Sequence, residues 1–173
     1  MLDVAPRSCV DPADPTRPLD PKLCAADVSR GVCRMLARHD LTALSEVPLD
    51  GGRRADLMAL DARGRIVIVE IKVSRADLLG DGKWPDYLEH CDRYFWAVPA
   101  GFDLSPLDGP AFLPERTGVI VADRYDAEIV REARTEPLPA HVRKRCTLAF
   151  ARRAARRVHQ LTDPDGGVPD ASG

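Results

Sequence analysis

The sequence has no long hydrophobic run and no cysteine pair of the C-x-x-C type. No apolar segment approaches the roughly 20 residues that a membrane-spanning helix needs, and the N-terminus lacks the apolar core of a signal peptide. Because the cysteines are odd in number and scattered, they indicate neither a zinc site nor a disulfide framework. We therefore expect a cytoplasmic protein with reduced thiols and no membrane partner. The five cysteines are Cys9, Cys24, Cys33, Cys91 and Cys146.

An excess of charge of one sign is also lacking, since 25 Lys and Arg residues stand against 27 Asp and Glu residues, for a net charge of −2. Any surface that binds nucleic acid must therefore be local. The four histidines show no metal-ligand spacing, and we assign them no role; they are His39, His90, His141 and His159. With 45% hydrophobic and 30% charged residues, the 173-residue chain predicts one soluble globular domain with a sizeable core.

A predicted β-hairpin carries the most informative side chains. Its second strand, Arg65–Lys72, is a near-continuous β-branched run, which indicates a strand buried on both faces. Its first strand is Ala55–Leu60. A three-residue loop at 62–64 fits between them, because the last position of such a loop favours a positive φ and is occupied by Gly64.

The register of this hairpin brings two carboxylates together. Counting back from the loop places Asp56 directly opposite Glu70, with Cβ atoms roughly 4.5–5.5 Å apart. Lys72 shares a face with Glu70 because side chains alternate along a strand. Two such carboxylates repel each other in a dry site unless a proton or a cation lies between them, and Mg²⁺ or Mn²⁺ is the cation that suits oxygen ligands. A slip of one residue would turn Asp56 to the other face and remove the site.

The hairpin residues resemble the motif of the PD-(D/E)XK nucleases, with Ala55-Asp56 where the first residue is often Pro, and with Glu70-Ile71-Lys72 as the second element. The segments that follow are similar to the MmcB-like DNA repair family of bacteria, a branch of that superfamily. The resemblance covers roughly Leu23 to Leu161 and implies a restriction-endonuclease-like α/β fold with an αβββαβ core and a central mixed sheet flanked by helices. Those segments are Ser74–Asp77, Asp81–Tyr87 and Cys91–Pro99.

The resemblance also implies a chemistry. Asp56, Glu70 and the backbone carbonyl of Ile71 would hold Mg²⁺ or Mn²⁺, which polarises a phosphate and lowers the pKa of water. Lys72 would orient the attacking water and neutralise charge in the transition state. Asp56, Glu70 and Lys72 are thus the expected catalytic residues for hydrolysis of DNA phosphodiesters. The ordinary alternative is a structural salt bridge between Glu70 and Lys72 at the strand end.

Other polar residues lie near the motif in sequence. Ser74 and Asp77 are favoured as helix caps. An exposed strand-edge charge is the alternative interpretation for Glu46, and solvated loop charges are the alternative for Asp81 and Lys83. Trp84 and Tyr87 are expected in the core more than as base-stacking platforms. The accessory candidates for contact with substrate or metal are Glu46, Ser74, Asp77, Asp81 and Lys83.

The remaining chain is expected to form an extended arm at 1–19, the nuclease-like domain at 20–161 and a disordered tail at 162–173. A helix over about 21–39 is predicted to begin with Asp20 as N-cap and Pro21 at the first position. Its buried stripe is predicted from helical spacing to be Cys24, Val28, Val32, Met35 and Leu36. Strands are predicted at 41–49, 94–98, 117–122 and 127–133, and a final helix at 139–161.

The final helix contains seven basic residues and no acidic one. Because solvated faces usually mix the two signs, this bias favours contact with the phosphate backbone of DNA, by structure more than by sequence. A solvated face is the alternative. The expected DNA-binding residues are Arg145, Arg152, Arg153, Arg156 and Arg157, and the expected apolar stripe is Phe150, Ala151, Ala154, Ala155, Val158 and Leu161.

Together with the resemblance to the MmcB-like family, these observations predict a bacterial DNA repair protein with metal-dependent nuclease activity on branched, damaged or single-stranded DNA. One rival is the same fold acting as a catalytically silent DNA-binding or scaffold subunit among other repair proteins. Another is an RNA-directed or restriction-type nuclease. A chain of 173 residues leaves no room for a separate specificity domain, which argues against restriction.

Overall fold

The computed structural model describes residues 23–163, so the predicted arm at 1–19 and most of the predicted tail lie outside the described residues. Within this range six strands form a single sheet, with helices on both faces. The helices are α1 (Ala25–Arg38), α2 (Arg75–Gly80) and α3 (Ala140–Thr162), and the strands are β1 (Leu41–Leu49), β2 (Arg53–Asp61), β3 (Ile66–Ile71), β4 (Arg93–Pro99), β5 (Gly118–Ala122) and β6 (Ala127–Arg131). Short 3-10 helices lie at Asp50–Gly52, Trp84–His90, Ser105–Asp108 and Pro110–Phe112.

The strands lie in the sheet in the same order as in the chain. The pairs β1–β2, β2–β3 and β5–β6 are antiparallel, whereas β3–β4 and β4–β5 are parallel. Parallel neighbours need a crossover, and α2 with the 3-10 helix Trp84–His90 provides the one between β3 and β4. The order helix, three strands, helix, strand is the predicted αβββαβ core, and the mixed sheet flanked by helices confirms the predicted α/β class.

Each face of the sheet covers its own hydrophobic core. One core lies beneath α1, and the other lies beneath α3 and the 3-10 helix Trp84–His90. All six residues of β3 are buried, which explains its continuous apolar run. Its side chains alternate between the two cores, so Ile68 faces one of them and Val69 the other.

The predicted hairpin register is confirmed. Leu57 pairs with Val69 and Leu60 pairs with Ile66, which is the register counted back from the loop. Gly64 has φ of 72°, a left-handed conformation that glycine adopts without a steric penalty, and its N–H donates to the carbonyl of Asp61 at 2.9 Å. The loop therefore fixes which residues of the two strands meet.

The start of the first helix differs from the prediction. Asp20 and Pro21 lie outside the described residues, and α1 begins only at Ala25, after Cys24 as N-cap. The carboxylate of Asp27 accepts hydrogen bonds from the backbone N–H of Cys24 at 3.2 Å and from its thiol at 3.3 Å. This capping box makes Cys24 an exposed helix terminus, so its assignment to the buried stripe was wrong. The other four residues of that stripe are buried.

Most of the apolar stripe predicted for α3 was wrong, because Ala151 and Ala155 are exposed and Ala154 is only partly buried. Phe150 is buried, but Val158 is 61% exposed and Leu161 is 82% exposed. The helix packs on β1 through a face that carries two arginines instead: Arg157 Nη1 donates to Ser45 Oγ at 2.9 Å, and only 16% of the Arg153 side chain is exposed. Long arginine stems cover apolar surface while their charged ends reach polar partners, so these positions lie inward despite their charge.

Candidate functional site

Asp56 on β2 and Glu70 on β3 lie next to each other where the regular pairing of the two strands ends. The backbone N–H of Asp56 donates to Glu70 Oε1 at 3.2 Å, and the backbone N–H of Ile71 donates to Asp56 Oδ2 at 2.9 Å. The regular pairing of these strands ends one step earlier, at Leu57 and Val69. The two carboxylates thus bind backbone donors that the sheet leaves unpaired at this end, and this fixes both side chains.

Burial and repulsion by Asp56 disfavour the ionised form of Glu70. Only 4% of its side chain is exposed, and burial, followed by the charge of Asp56, raises the pKa of Glu70 to about 8. Burial also raises the pKa of Asp56, although the N–H of Ile71 opposes the shift. At neutral pH and without a cation, the pair therefore retains a proton.

Lys72 lies immediately beyond β3 on the same face as Glu70. Its side chain is 9% exposed, and its ammonium nitrogen is 3.9 Å from Glu70 Oε2. The residues Asp77 and Asp81, which follow in the crossover segment, lie within 3.9 and 2.7 Å of the same nitrogen. Burial opposes the charge of Lys72, but the nearby carboxylates outweigh it and raise the pKa of Lys72, so the lysine is a cation within this site.

Aromatic residues close the site on the side of the 3-10 helix Trp84–His90. Trp84 and Tyr87 are buried, which confirms their assignment to the core. The hydroxyl of Tyr87 donates to the carbonyl of Arg54 at 3.2 Å, and burial, with the charges of Glu70 and neighbouring carboxylates, raises the pKa of Tyr87 to about 12. Sequence spacing indicated a core position for Tyr87 but gave no signal that its hydroxyl lies beside the carboxylates.

Glu46 reaches the same region from β1. The pairing of β1 with β2 places it opposite Asp56, and its φ of 54° is left-handed. Its carboxylate, half exposed, lies 3.8 Å from Arg54 Nη2 and 3.9 Å from Arg153 Nη2. Glu46 lies between the pairs Ser45–Leu57 and Val47–Ala55, and hence beside Asp56, but a role for it in the cleft stays a prediction.

The other accessory candidates divide into two groups. The Ser74 hydroxyl accepts a hydrogen bond from the N–H of Asp77 at 3.1 Å, so Ser74 is the N-cap of α2, as predicted. Asp77 and Asp81 approach Lys72. Lys83 is exposed, and its N–H donates to Asp81 Oδ1 at 3.3 Å. Asp81 therefore belongs to the site, whereas the side chain of Lys83 faces solvent.

The arginines of α3 are not equivalent. Arg145 pairs with Asp50 at 3.0 Å, and Arg153 and Arg157 lie on the face toward β1. Arg152 is exposed and Arg156 is partly exposed, and no ion pair joins either of them to another residue within 23–163. The outward basic surface of α3 therefore centres on Arg152 and Arg156.

The carboxylate oxygens of Asp56 and Glu70 are suitable ligands for a hard divalent cation. Asp56 and Glu70 each bind a backbone N–H through one oxygen, which leaves a second oxygen with lone pairs for another partner. No cluster of three or more His, Cys, Asp or Glu side chains in the described part of the chain could hold a metal ion. Mg²⁺ fits a two-carboxylate site nevertheless, because it keeps several waters and needs only one or two protein carboxylates.

Comparison with known proteins gives the family. A model of the family described as "DNA repair protein MmcB-like" matches residues 18–165. The chain belongs to the MmcB-like family. The resemblance to the MmcB-like family, inferred from the segments that follow the hairpin, is therefore confirmed, and membership associates the protein with DNA repair.

A solved structure has the same fold. A protein of unknown function from Silicibacter pomeroyi is 41% identical to this chain and superposes with a TM-score of 0.77, covering 88% of this chain and 99% of its own. No curated protein matches the chain. No helix of residues 23–163 has the length and hydrophobicity needed to cross a membrane.

Proposed function

We propose that this MmcB-like protein is a divalent-cation-dependent nuclease that acts on DNA during repair. The observation that carries the proposal is a pair of neighbouring carboxylates, Asp56 and Glu70, beside a buried lysine, Lys72, whose ammonium nitrogen is 3.9 Å from Glu70 Oε2. A structural salt bridge needs one carboxylate and places no second one against it, so this set suits cation binding better than strand-end stability.

Mg²⁺ or Mn²⁺ would be held by Asp56 and Glu70, with the Ile71 carbonyl as a third protein ligand. When bound, the cation supplies a Lewis acid that polarises the scissile phosphate and favours ionisation of the attacking water. Asp56 and Glu70 are pre-positioned for it by their backbone hydrogen bonds. To act as a ligand, Glu70 would have to release to solvent the proton that its raised pKa favours without a cation.

Lys72 acts on the phosphate side of the reaction. Its ammonium group is buried, so its field is little screened by solvent and opposes the negative charge that develops on the phosphate oxygens. The same group donates a hydrogen bond to orient the attacking water. Attack at phosphorus breaks the bond to the 3′ oxygen and leaves 5′-phosphate and 3′-hydroxyl ends, the usual outcome in the PD-(D/E)XK superfamily that this site resembles.

DNA would be bound in part through α3. Arg152 and Arg156 face outward on a helix that has no acidic residue, and Lys144 near its start is also exposed. Lysine and arginine contacts to phosphates carry no base readout. We therefore expect recognition of a DNA structure, such as a branch or a single strand, in preference to a sequence.

A cleavage assay tests the proposal directly. Parent protein and Lys72→Ala are incubated with Mg²⁺ or Mn²⁺ and labelled duplex, single strand, flap, fork and four-way junction. Arg63→Ala is the matched control, because it removes an exposed cation from the far end of the same hairpin. We expect cation-dependent cutting of at least one DNA by the parent and the control, and none by Lys72→Ala.

A different result would point to another role. If the parent binds DNA without cutting any substrate, with either cation, the nuclease proposal is wrong. The protein would then be better described as a DNA-docking or scaffold subunit of a repair complex, which keeps the site residues without turnover.

A further inference from the structure

The ammonium group of Lys72 has one close partner. Asp81 Oδ2 lies 2.7 Å from the nitrogen, whereas the nearest oxygens of Asp77 and Glu70 are 3.9 Å away. Only the first distance is that of a charge-assisted hydrogen bond. The side chain of Asp77 is also half exposed, and exposed ion pairs hold geometry weakly.

The strand pair fixes the backbone of Lys72 but not its side chain. The N–H of Lys72 donates to the carbonyl of Ala97 on β4 at 2.9 Å. A lysine side chain has four rotatable bonds beyond that point, and a flexible point charge needs a partner to hold it in one place. Since Glu70 is beyond hydrogen-bond distance, the position of the ammonium group is set from the crossover segment.

Asp81 is itself held firmly. Its Oδ1 accepts a hydrogen bond from the backbone N–H of Lys83 at 3.3 Å, and its Oδ2 accepts one from the ammonium group of Lys72 at 2.7 Å. Both oxygens therefore have defined partners. The turn is anchored on both sides by buried residues, Leu78 before it and Trp84 after it. The side chain of Asp81 is only 17% exposed, which limits competition from water.

The placement of Asp81 also affects Glu70. Without Asp81, the buried carboxylate nearest to Lys72 would be Glu70, which the proposed cation needs as a ligand. A lysine bound to Glu70 would neutralise the charge that attracts the cation. Asp81 thus holds the ammonium group near Glu70 and at the same time keeps it off the carboxylate.

We propose, resting on the function proposed above, that Asp81 is a positioning residue for catalysis, which holds the ammonium group of Lys72 beside Glu70. It acts through Lys72 and makes no contact with the substrate. Asp81→Asn keeps an oxygen acceptor but removes the charge, Asp81→Glu keeps the charge, and Asp77→Asn is the matched control at the more distant acid.

Steady-state cleavage of the preferred DNA gives the first readout. We expect kcat of Asp81→Asn to fall about 10- to 100-fold, the loss typical of a small misplacement of a catalytic group, with KM for DNA unchanged. Asp81→Glu is expected to recover much of the loss, and Asp77→Asn to resemble the parent. A kcat of Asp81→Asn equal to that of Asp77→Asn would overturn the inference while leaving the nuclease proposal intact.

The second readout does not depend on activity. The chain has only four lysines, Lys22, Lys72, Lys83 and Lys144, so the ammonium resonances of a protein with ¹⁵N-labelled lysine can be assigned with Lys72→Ala. We expect a slowly exchanging Lys72 ammonium signal in the parent and in Asp77→Asn, shifted or lost in Asp81→Asn. An unchanged signal in Asp81→Asn would show that Asp81 does not hold Lys72. A parent that cuts no DNA would overturn the proposed function, and with it the catalytic role of Asp81.

Discussion

Asp92 and Arg143, which are 51 residues apart in the chain, form a bidentate ion pair. Asp92 Oδ2 lies 2.6 Å from Arg143 Nη1, and Asp92 Oδ1 lies 2.7 Å from Arg143 Nη2. The carboxylate also accepts the N–H groups of Ile66 at 2.7 Å and Leu138 at 2.9 Å, and Arg143 donates to the carbonyl of Gly64 at 2.9 Å. The pair therefore joins α3 to the turn of the hairpin whose other end carries Asp56 and Glu70.

We expect Arg143→Ala to destabilise the protein by about 3–5 kcal/mol, because it leaves Asp92, whose side chain is 2% exposed, as a buried charge without its cation. Urea unfolding measures the loss. Arg152→Ala is the control on the same helix, and as an exposed residue it is expected to change stability by less than about 0.5 kcal/mol. Equal small changes in both variants would mean that the Asp92 pair is not needed to hold α3.

The raised pKa of Glu70 predicts an unusual dependence of stability on pH. Burial and Asp56 raise that pKa to about 8, from an ordinary 4.5, so between these values the folded protein holds a proton that the unfolded chain has lost. Protonation then stabilises the folded state fully below pH 4.5, and this contribution disappears as pH rises through 8. At 1.36 kcal/mol per pKa unit, the contribution is at most about 5 kcal/mol.

Unfolding measured without divalent cations at about pH 6 and about pH 8.5 checks this expectation. The parent is expected to be less stable at the higher pH, because Glu70 loses its proton between the two pH values. The raised pKa of Asp56 acts in the same direction. Glu70→Gln is neutral at both pH values, and its stability is expected to vary less between them. Added Mg²⁺ is expected to stabilise the parent more at the higher pH than at the lower, because it replaces the lost proton. Parent and Glu70→Gln curves of equal slope would contradict the assignment.

The hairpin and its carboxylate pair were predictable because local rules determine them. A three-residue loop with glycine at its last position fixes the register, and a β-branched run identifies the buried strand. Together they placed Asp56 opposite Glu70 from a single short stretch of sequence. The ion pairs of Asp81 with Lys72 and of Asp92 with Arg143 depend instead on how the crossover and α3 pack, and no sequence pattern encodes that packing.

The inward face of α3 could not be predicted from hydrophobicity either. Helical spacing gave a stripe through Val158 and Leu161, yet β1 receives the face with Arg153 and Arg157, because Ser45 and Glu46 offer polar partners there. Binary patterning treats arginine as outward-facing and fails where its stem is packed and its charge is satisfied.

This correction sharpens the prediction for DNA binding. Removing the two outward arginines in Arg152→Ala/Arg156→Ala is expected to weaken binding of every DNA to a similar degree and to lower the slope of log K against log salt concentration by about 0.9 for each duplex phosphate that is no longer neutralised. Binding isotherms at several salt concentrations measure the slope. Arg30→Ala/Arg63→Ala, which removes the same charge from exposed positions elsewhere, is expected to keep the parent slope. If both double variants behave alike, α3 is a solvated face.

The left-handed backbone of Glu46 has a structural consequence. Along β1, Leu41 and Ala43 face the core beneath α1, whereas Val47 and Leu49 face the opposite core, so the regular alternation of side chains shifts at Glu46. A residue with a side chain loses about 1–2 kcal/mol in this conformation, and glycine does not. Strained residues of this kind concentrate at functional sites, and Glu46 lies opposite Asp56.

Glycine and alanine at this position separate the strain from the carboxylate. Both substitutions remove the ion pairs with Arg54 and Arg153, but only Glu46→Gly relieves the backbone. After the greater chain entropy of glycine in the unfolded state is included, we expect Glu46→Gly to be more stable than Glu46→Ala by about 0.5–1 kcal/mol in urea unfolding. The same pair at Thr42, an exposed position of β1 with ordinary backbone, is expected to show the opposite order. If glycine is the less stable variant at both positions, Glu46 is not strained, and the shift in β1 needs another cause.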